Sequence, residues 1–247
     1  PVPLHLCTTV GQWIVLAHLT KGSPMNRLVI LLCSFGFLVL SATSPVSAED
    51  WPTYRHDGKR TAFSAEAMPS AVFPQWTFVP RHAPKTAWPL PGEETPRMHS
   101  DRALHVIVAE RTAYFGHSVD DNVYALDTRT GVTKWTFRAE GPVRFAPMFD
   151  GGRIYFGSDD GYAYCLNAAD GKLEWRYRPS PANERVIGNG RMISLWPVRT
   201  GLLVEKGVVY LAAGVFPYEG LYIAAVDACL LYTSDAADER SSVDLGG

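Results

Sequence analysis

The sequence predicts an all-β fold, a β-propeller of four-stranded antiparallel blades. About three blades and a remnant of another are expected, which makes an incomplete ring. A repeat of about 40 residues, short alternating strand patterns within each repeat, and dense turn residues all predict this fold. The 21 Gly and 18 Pro punctuate the 247 residues too often for a mostly helical protein. Hydrophobic and aromatic contents of 47% and 12% exclude a disordered chain.

The repeat is visible as two aligned copies, residues 113–137 and residues 154–177. Three residue types recur 40 positions apart in them: Tyr124 and Tyr164, Gly131 and Gly171, and Trp135 and Trp175. A third copy begins at Val209, and residues 75–78 match the end of an earlier copy. Repeats of this period are predicted to stack side by side as structural units.

Each copy is predicted to contain four strands. In the second copy, residues 153–157 alternate, residues 158–161 supply a Ser-Asp-Asp-Gly hairpin turn, and residues 162–166 return as the partner strand. Residues 172–178 form the next strand, and residues 143–149 precede the others as the innermost one. Four strands in this length leave no room for helical crossovers, so each copy is predicted to form an antiparallel blade.

The chain divides into four parts by composition. Residues 25–48 have the short basic start, apolar core and small-residue cleavage site of a secretory signal peptide. Residues 1–24 precede that start and are expected to be translated upstream sequence. Residues 229–247 abandon the repeat pattern and resemble the translated sequencing adapter that ends many metagenomic contigs. The partial propeller is therefore expected at residues 49–228.

This division predicts an exported protein, periplasmic or extracellular, with no transmembrane segment after signal cleavage. The propeller would be a truncated fragment, and its first partners would be the blades or domains of a missing C-terminal part. A net charge of −2 makes a nucleic-acid partner unexpected. Only Cys165 of the four Cys falls within the propeller, so no internal disulfide is expected there.

No metal site is predicted from the residues. The acidic runs at residues 120–122 and 159–161 have the residue types of calcium ligands. Hairpin-turn chemistry accounts for both runs, because Asp and Asn cap the turns and Gly adopts positive φ. Cys165 lies in a predicted strand without a basic or His neighbour, so we expect an inert core thiol.

The first copy carries the pattern Ala-x-Asp-x-x-Thr-Gly-x-x-x-Trp from Ala125 to Trp135. This pattern resembles the tryptophan-docking motif of pyrroloquinoline quinone (PQQ)-type β-propeller repeats. Residues 50–55 and 189–199 also resemble segments of exported PQQ-like propeller proteins. The resemblance covers nearly all of residues 49–228 and implies the repeat class. It does not imply one chemistry, since the family includes quinoprotein dehydrogenases and outer-membrane assembly factors.

The repeated motif has a structural role that needs no cofactor. The glycines are expected to adopt a left-handed turn, the aspartate to cap that turn, and the tryptophans to bury their faces between neighbouring blades. Five residues carry this structural motif: Asp127, Gly131, Trp135, Gly171 and Trp175.

The connections between blades are of unequal length. Trp135 and Tyr155 are 20 positions apart, whereas the corresponding residues of the other two connections are 35 and 38 positions apart. Long ordered loops on one rim of a propeller are common binding sites. Trp88, Arg191 and Trp196 lie in these insertions and are candidates for binding at the rim. The alternative is that the insertions cover the core or contact another domain.

An arginine precedes the aligned tyrosine by 11 or 12 residues in each copy, namely Arg102, Arg144 and Arg199. This position is predicted to start the innermost strand, near one mouth of the central channel. Several guanidinium groups there favour an anionic ligand or a ring of carboxylates from neighbouring blades. Salt bridges within the blade edge are the alternative.

Three functions are compatible with these features. The first is an exported PQQ-like propeller that acts as a binding scaffold, with a protein or an anionic small molecule held at the rim loops and channel mouth. The alternative implied by the resemblance is a dehydrogenase that uses PQQ and calcium to oxidise alcohols or sugars. Similar dehydrogenases often carry a vicinal Cys pair, which this sequence lacks, and catalytic residues remain unassigned. A sensor or adhesion module of a larger protein is a third possibility.

Overall fold

Antiparallel sheets, following one another along the chain, make up the fold. The computed structural model describes residues 48–88, 100–188 and 190–229. The predicted upstream segment, nearly all of the predicted signal peptide and all but the first residue of 229–247 lie outside these residues. Within them, the only helical turns are two 3-10 turns, at Ser100–Arg102 and Pro217–Glu219. None of the described helices is long and apolar enough to cross a membrane.

The first two blades each contain four strands that pair in chain order. The strands of the first blade are β1 (Ile107–Ala109), β2 (Thr112–Gly116), β3 (Asn122–Asp127) and β4 (Thr133–Arg138). The strands of the second blade are β5 (Met148–Asp150), β6 (Arg153–Gly157), β7 (Ala163–Asn167) and β8 (Leu173–Tyr177).

The rest of the described chain forms a hairpin and a third blade. The hairpin pairs β9 (Arg185–Gly188) with β10 (Arg191–Ser194) inside the connection that follows the second blade. The third blade has three described strands, β11 (Leu203–Glu205), β12 (Val208–Ala213) and β13 (Tyr222–Asp227). The predicted fold class is confirmed: the described residues form an incomplete β-propeller.

The strand predictions for the second blade are confirmed in number and order, with one error of extent. The strand at residues 153–157 is observed as predicted, and the next two differ by one residue at their ends. The predicted strand at 143–149 was too long, since β5 begins at Met148. Pro147 cannot donate a ladder hydrogen bond, and the Pro142 carbonyl instead accepts from the Asp159 amide at 2.9 Å.

The strand order divides the connections between two ends of the sheets. Successive strands are antiparallel, so the β2–β3 and β6–β7 turns lie at the same end as the connections that enter β1, β5 and β11. We call this the rim end. The opposite end, with the β1–β2 and β3–β4 turns and their counterparts, is the base end. Both long insertions therefore belong to the rim end.

The core lies between neighbouring blades. In the second blade the Phe156 and Tyr164 rings stack at 5.1 Å, and Phe137 from the first blade packs edge-on against them. Phe78 packs in the same way, at 5.0 Å, against Phe115 of the first blade. Residues 75–78 therefore make the contacts of an outer strand of a preceding blade, as the sequence match predicts.

The segment before the first blade crosses the innermost strands. Trp51 pairs with Val108 in β1, and the Pro52 carbonyl accepts from the Phe149 amide of β5 at 2.8 Å. Arg60 donates to the Gly201 carbonyl, just before β11, at 3.3 Å. The channel side of all three blades is thus in contact with residues 51–60.

Candidate functional site

A buried ion cluster at the rim end joins two of the predicted arginines. Asp159 accepts from Arg144 Nε at 2.6 Å and from Arg199 Nε at 2.7 Å, one through each carboxylate oxygen. The Asp159 side chain is fully buried, and only 3% of the Arg144 side chain is exposed. Both arginines lie four residues before β5 and β11 and do not start those strands, which corrects the sequence prediction. Their guanidinium groups are paired with a carboxylate of the intervening turn.

The same cluster holds the first long connection. Arg144 donates to Asp101 at 3.1 Å and to the Lys85 carbonyl at 2.6 Å. Asp101 also accepts from the Ala87 amide at 2.6 Å. Arg102 is exposed and is not part of this cluster. The sequence therefore predicted the correct turn, but its contact with Arg144 is made by Asp101 and not by Arg102. Opposite charges on three buried side chains, Asp101, Arg144 and Asp159, fix the connection against the second blade.

Two adjacent aspartates of the β6–β7 turn have different partners. Asp160 accepts from the Tyr162 amide at 2.9 Å, the Tyr164 hydroxyl at 2.7 Å and the Glu140 amide at 3.0 Å. Asp160 therefore builds the turn, and Asp159 is left to bind the arginines. Burial raises the pKa of Asp160 and of Tyr164. A hairpin turn needs only one of these two aspartates. The second Asp was therefore the one sequence feature that could have predicted a further role for Asp159.

The β9–β10 hairpin is tied to the first blade by an ion pair. Arg191 donates to both carboxylate oxygens of Asp121 at 2.6 Å and to the Val119 carbonyl at 2.7 Å. Burial raises the pKa of Asp121, an effect that Arg191 opposes. On the other side, the Ser194 amide donates to the Asp159 carbonyl at 2.7 Å. The inserted hairpin is thus held by the β2–β3 turn of the first blade and the β6–β7 turn of the second.

The two candidate rim tryptophans occupy different environments. Trp196 is buried, its indole N–H donates to the Glu219 carbonyl at 2.6 Å, and its ring packs edge-on against Tyr222. Its contacts support the third blade. Trp88 is 37% exposed and lies against Phe216, with the Arg199 guanidinium 5.9 Å from its ring centre. Only Trp88 of the pair presents part of its ring to solvent.

The repeated motif lies at the base end and joins consecutive blades. Trp135 donates its indole N–H to the Ala168 carbonyl at 2.9 Å and covers Gly171, whose φ is +71°. Trp76 donates to the Thr128 carbonyl above Gly131, and Trp175 donates to the Ala228 carbonyl. A Cβ on Gly171 would lie 2.6 Å from the Trp135 ring, so the close approach requires glycine.

Asp127 caps the corresponding turn in the first blade. Its carboxylate accepts from the Thr130 hydroxyl and amide and from the Arg129 amide, at about 3 Å each. These hydrogen bonds, with that of the Thr130 side chain first, lower the pKa of Asp127. Tryptophan, glycine and aspartate of the motif therefore have packing and turn-forming contacts.

The acidic turn residues and the buried cysteine of the second blade have structural contacts. Within residues 48–88, 100–188 and 190–229, no group of three His, Cys, Asp or Glu side chains is placed to hold a metal ion. The carboxylates of Asp159 and Asp160 are engaged by arginines and by turn donors. Cys165 is buried, and burial raises the pKa of its thiol to about 12. No thiolate nucleophile is available there near neutral pH.

Repeated four-stranded antiparallel blades, joined by tryptophans at their base, define a propeller-repeat protein. A family model described as outer membrane protein assembly factor BamB matches residues 75–228, more than half of the chain. The chain therefore belongs to that family, and the predicted PQQ-like repeat class is confirmed. No curated protein sequence matches the chain.

Solved structures similar to the chain include two dehydrogenases and a BamB protein. Quinohemoprotein alcohol dehydrogenase from Comamonas testosteroni is 21% identical, with a TM-score of 0.47 over 72% of this chain and 25% of that protein. A europium-containing methanol dehydrogenase is 16% identical, with a TM-score of 0.46 over 74% and 31%. BamB from Moraxella catarrhalis is 18% identical, with a TM-score of 0.29 over 48% and 43%. The chain spans less than half the length of each.

Proposed function

We propose that this chain is part of an exported β-propeller scaffold that binds a protein partner at its rim end. The observation that supports this most directly is the ordering of both long connections by buried charges. The Arg144, Asp159 and Arg199 cluster holds one side of the rim, and the Arg191 to Asp121 pair holds the other. Surface loops that are fixed by buried ion pairs present a defined surface at little entropic cost on binding.

The position of the site favours the outer rim over the channel mouth. The channel side of the blades is in contact with residues 51–60, and the predicted anion-binding Arg144 and Arg199 are both paired with Asp159, with Asp101 as a second carboxylate on Arg144. An anion would have to compete with a buried carboxylate for these guanidinium groups. The outer rim carries exposed apolar side chains on the β9–β10 hairpin, which a protein partner can cover.

Site-specific photo-crosslinking in the intact protein tests this function. A photoreactive residue is placed at Met192, which is 54% exposed at the rim end, and separately at Val132, which is 66% exposed at the base end. We expect an adduct of one discrete mass from Met192 and none from Val132. Equal labelling at both positions, or none at Met192, would contradict the proposal. Fractionation of the same cells tests export, with the protein expected outside the cytoplasm.

A dehydrogenase assay tests the alternative function. The full-length protein is incubated with PQQ and calcium and tested for reduction of an artificial electron acceptor by alcohols and sugars. We expect no reduction above that of a heat-denatured control. Turnover that requires both PQQ and calcium would replace the scaffold function by the dehydrogenase function.

A further inference from the structure

Exposed arginine and apolar side chains form one patch at the rim end of the second blade. The patch consists of Arg176, Arg178, Arg185, Ile187 and Met192, and we call it the rim patch. Ile187 and Met192 are cross-strand neighbours in the β9–β10 hairpin, and they are 78% and 54% exposed. Their neighbour Ile193 points to the other face and is 2% exposed. The hairpin therefore buries one face and leaves an apolar pair open on the other.

The arginines of the patch are joined to the hairpin through a single carboxylate. Glu140 accepts from Arg176 and from Arg185 at 2.9 Å each, and Arg185 is two residues from Ile187 on the same strand face. Half of the Glu140 side chain and 45% of the Arg176 side chain are exposed. The contact thus remains open to solvent, and Arg176 can also reach a carboxylate from outside.

Tyr162 holds the guanidinium group of Arg178 beside that of Arg176. The Arg176 and Arg178 guanidinium carbons lie 4.7 and 5.8 Å from the Tyr162 ring centre. Arg178 Nε is buried and has no hydrogen-bond partner within the described part of the chain. Arg176 and Arg185 contact the Glu140 carboxylate, and Arg178 lies with Arg176 against Tyr162, so these side chains carry more positive than negative charge. Stacked and partly ordered arginines bind carboxylates with less entropy loss than mobile ones do.

We propose that the rim patch binds an extended polypeptide segment that alternates acidic and apolar side chains. Its carboxylates would pair with Arg176, Arg178 and Arg185, and its apolar side chains would cover Ile187 and Met192. This charge complementarity selects an acidic partner over a basic or purely apolar one. The inference rests on the proposed scaffold function and specifies the chemistry of its partner.

Fluorescence anisotropy with defined peptides tests the inference on the full-length protein. The probe is a fluorescein-labelled ten-residue peptide that alternates Glu and Leu. One control peptide has Gln in place of Glu, and a second has Ser in place of Leu. We expect binding of the first peptide only, weakened by added salt because the contacts are exposed. Equal binding of the Gln peptide would overturn the charge argument.

Matched variants locate the binding. Arg176→Ala with Arg185→Ala is expected to weaken binding about tenfold, and Ile187→Ser about fivefold. The controls lie at the base end: Arg153→Ala removes an arginine that pairs with Glu174 at similar exposure, and Val132→Ser removes an exposed apolar side chain. Both controls should bind the peptide as wild type does. Equal loss in the Arg153 control would overturn the proposal.

The two proposals fail in different ways. Crosslinking at Met192 without peptide binding would keep the rim scaffold and overturn the acidic partner. Peptide binding that depends on Arg176 and Arg185 supports the rim patch, even where the cells used for crosslinking lack the partner. Absence of both signals would overturn both proposals.

Discussion

The second and third blades carry a tyrosine at the same register, buried in one and exposed in the other. Tyr155 pairs with Cys165 and is 1% exposed, whereas Tyr210 pairs with Ala225 and is 44% exposed. Tyr114 of the first blade, which has a following blade, is 2% exposed. A blade therefore cannot bury its own face, and the next blade supplies that burial. No described blade follows the third one.

The largest expected effect tests this comparison directly. Tyr155→Ala removes an aromatic ring from the contact between the second and third blades, where it lies 6.0 Å from the Trp175 ring. We expect a loss of about 3 to 5 kcal/mol in the free energy of unfolding. Tyr210→Ala should cost less than about 1 kcal/mol, because its ring is already exposed. Urea unfolding of the 247-residue chain measures both.

Equal losses at the two tyrosines would contradict the comparison. A large loss at Tyr210 alone would indicate that residues outside the described part of the chain cover the third blade. In a longer protein that carries a following blade, the loss at Tyr210 should instead rise toward the loss at Tyr155.

The propeller could be predicted from the sequence because its signals are local and repeated. Tyr, Gly and Trp recur at fixed spacing, and a pair of Asp residues marks the turn between the second and third strands in both of the first two blades. The β9–β10 hairpin could not be predicted in the same way, because it occurs in one connection only. Each of its strands is only four residues long, too short for a clear alternation of apolar and polar residues. The hairpin also depends on tertiary contacts such as that of Arg191 with Asp121.

Two arginines near the second blade differ in burial, as the two tyrosines do. Arg144 pairs with Asp159 in the interior, and Arg153 pairs with Glu174 at the surface of the same blade. Arg144→Ala is expected to cost about 3 kcal/mol, because it leaves buried carboxylates with fewer partners. Arg153→Ala should cost less than about 1 kcal/mol, since exposed ion pairs contribute little. The same urea experiment compares them, and equal costs would refute the structural role of the cluster.

The sequence alone could not predict which residues pair with Arg144 and Arg199. The spacing of Arg144 and Arg199 showed that they occupy equivalent positions, and carboxylates were among the expected partners. It could not show that both reach one aspartate, since that depends on how the β6–β7 turn projects between two connections. Arg102 has similar spacing but is exposed, whereas Asp101 beside it is buried and binds Arg144, so spacing alone did not determine contact.

The contact between blades at the base end can be tested with two glycines. Gly171 and Gly152 both have positive φ, +71° and +77°, but only Gly171 faces a tryptophan ring. Gly152→Ala should therefore cost about 1 kcal/mol for the backbone alone. Gly171→Ala should cost about 2 to 3 kcal/mol, because the methyl group also displaces Trp135. Unfolding followed by tryptophan fluorescence measures the loss of free energy in each variant. Identical losses would show that the close contact between Gly171 and Trp135 does not contribute to stability.

The smallest expected effect concerns the exposed Glu140 of the rim. Hydrogen bonds from Arg176 and then Arg185 lower the pKa of Glu140 below its usual 4.5. The folded pKa is lower than the unfolded one, so this stabilisation is present above pH 4.5 and is lost as the pH falls through the folded pKa. Glu140→Gln should thus change Tm by little near neutral pH and reduce the drop in Tm on acidification.

The matched control for this pH dependence is Glu205→Gln, at a carboxylate 3.8 Å from Lys206 on the exposed edge of the third blade. Asp160 has a raised pKa, so its contribution to stability runs in the opposite direction, decreasing as the pH rises. That contribution is common to wild type and both variants and cancels in the comparison. An acid-induced drop in Tm that is unchanged by Glu140→Gln would show that the two arginines do not hold this carboxylate in solution. The hairpin would then be held by the Arg191 contact with the first blade and the Ser194 contact with the second.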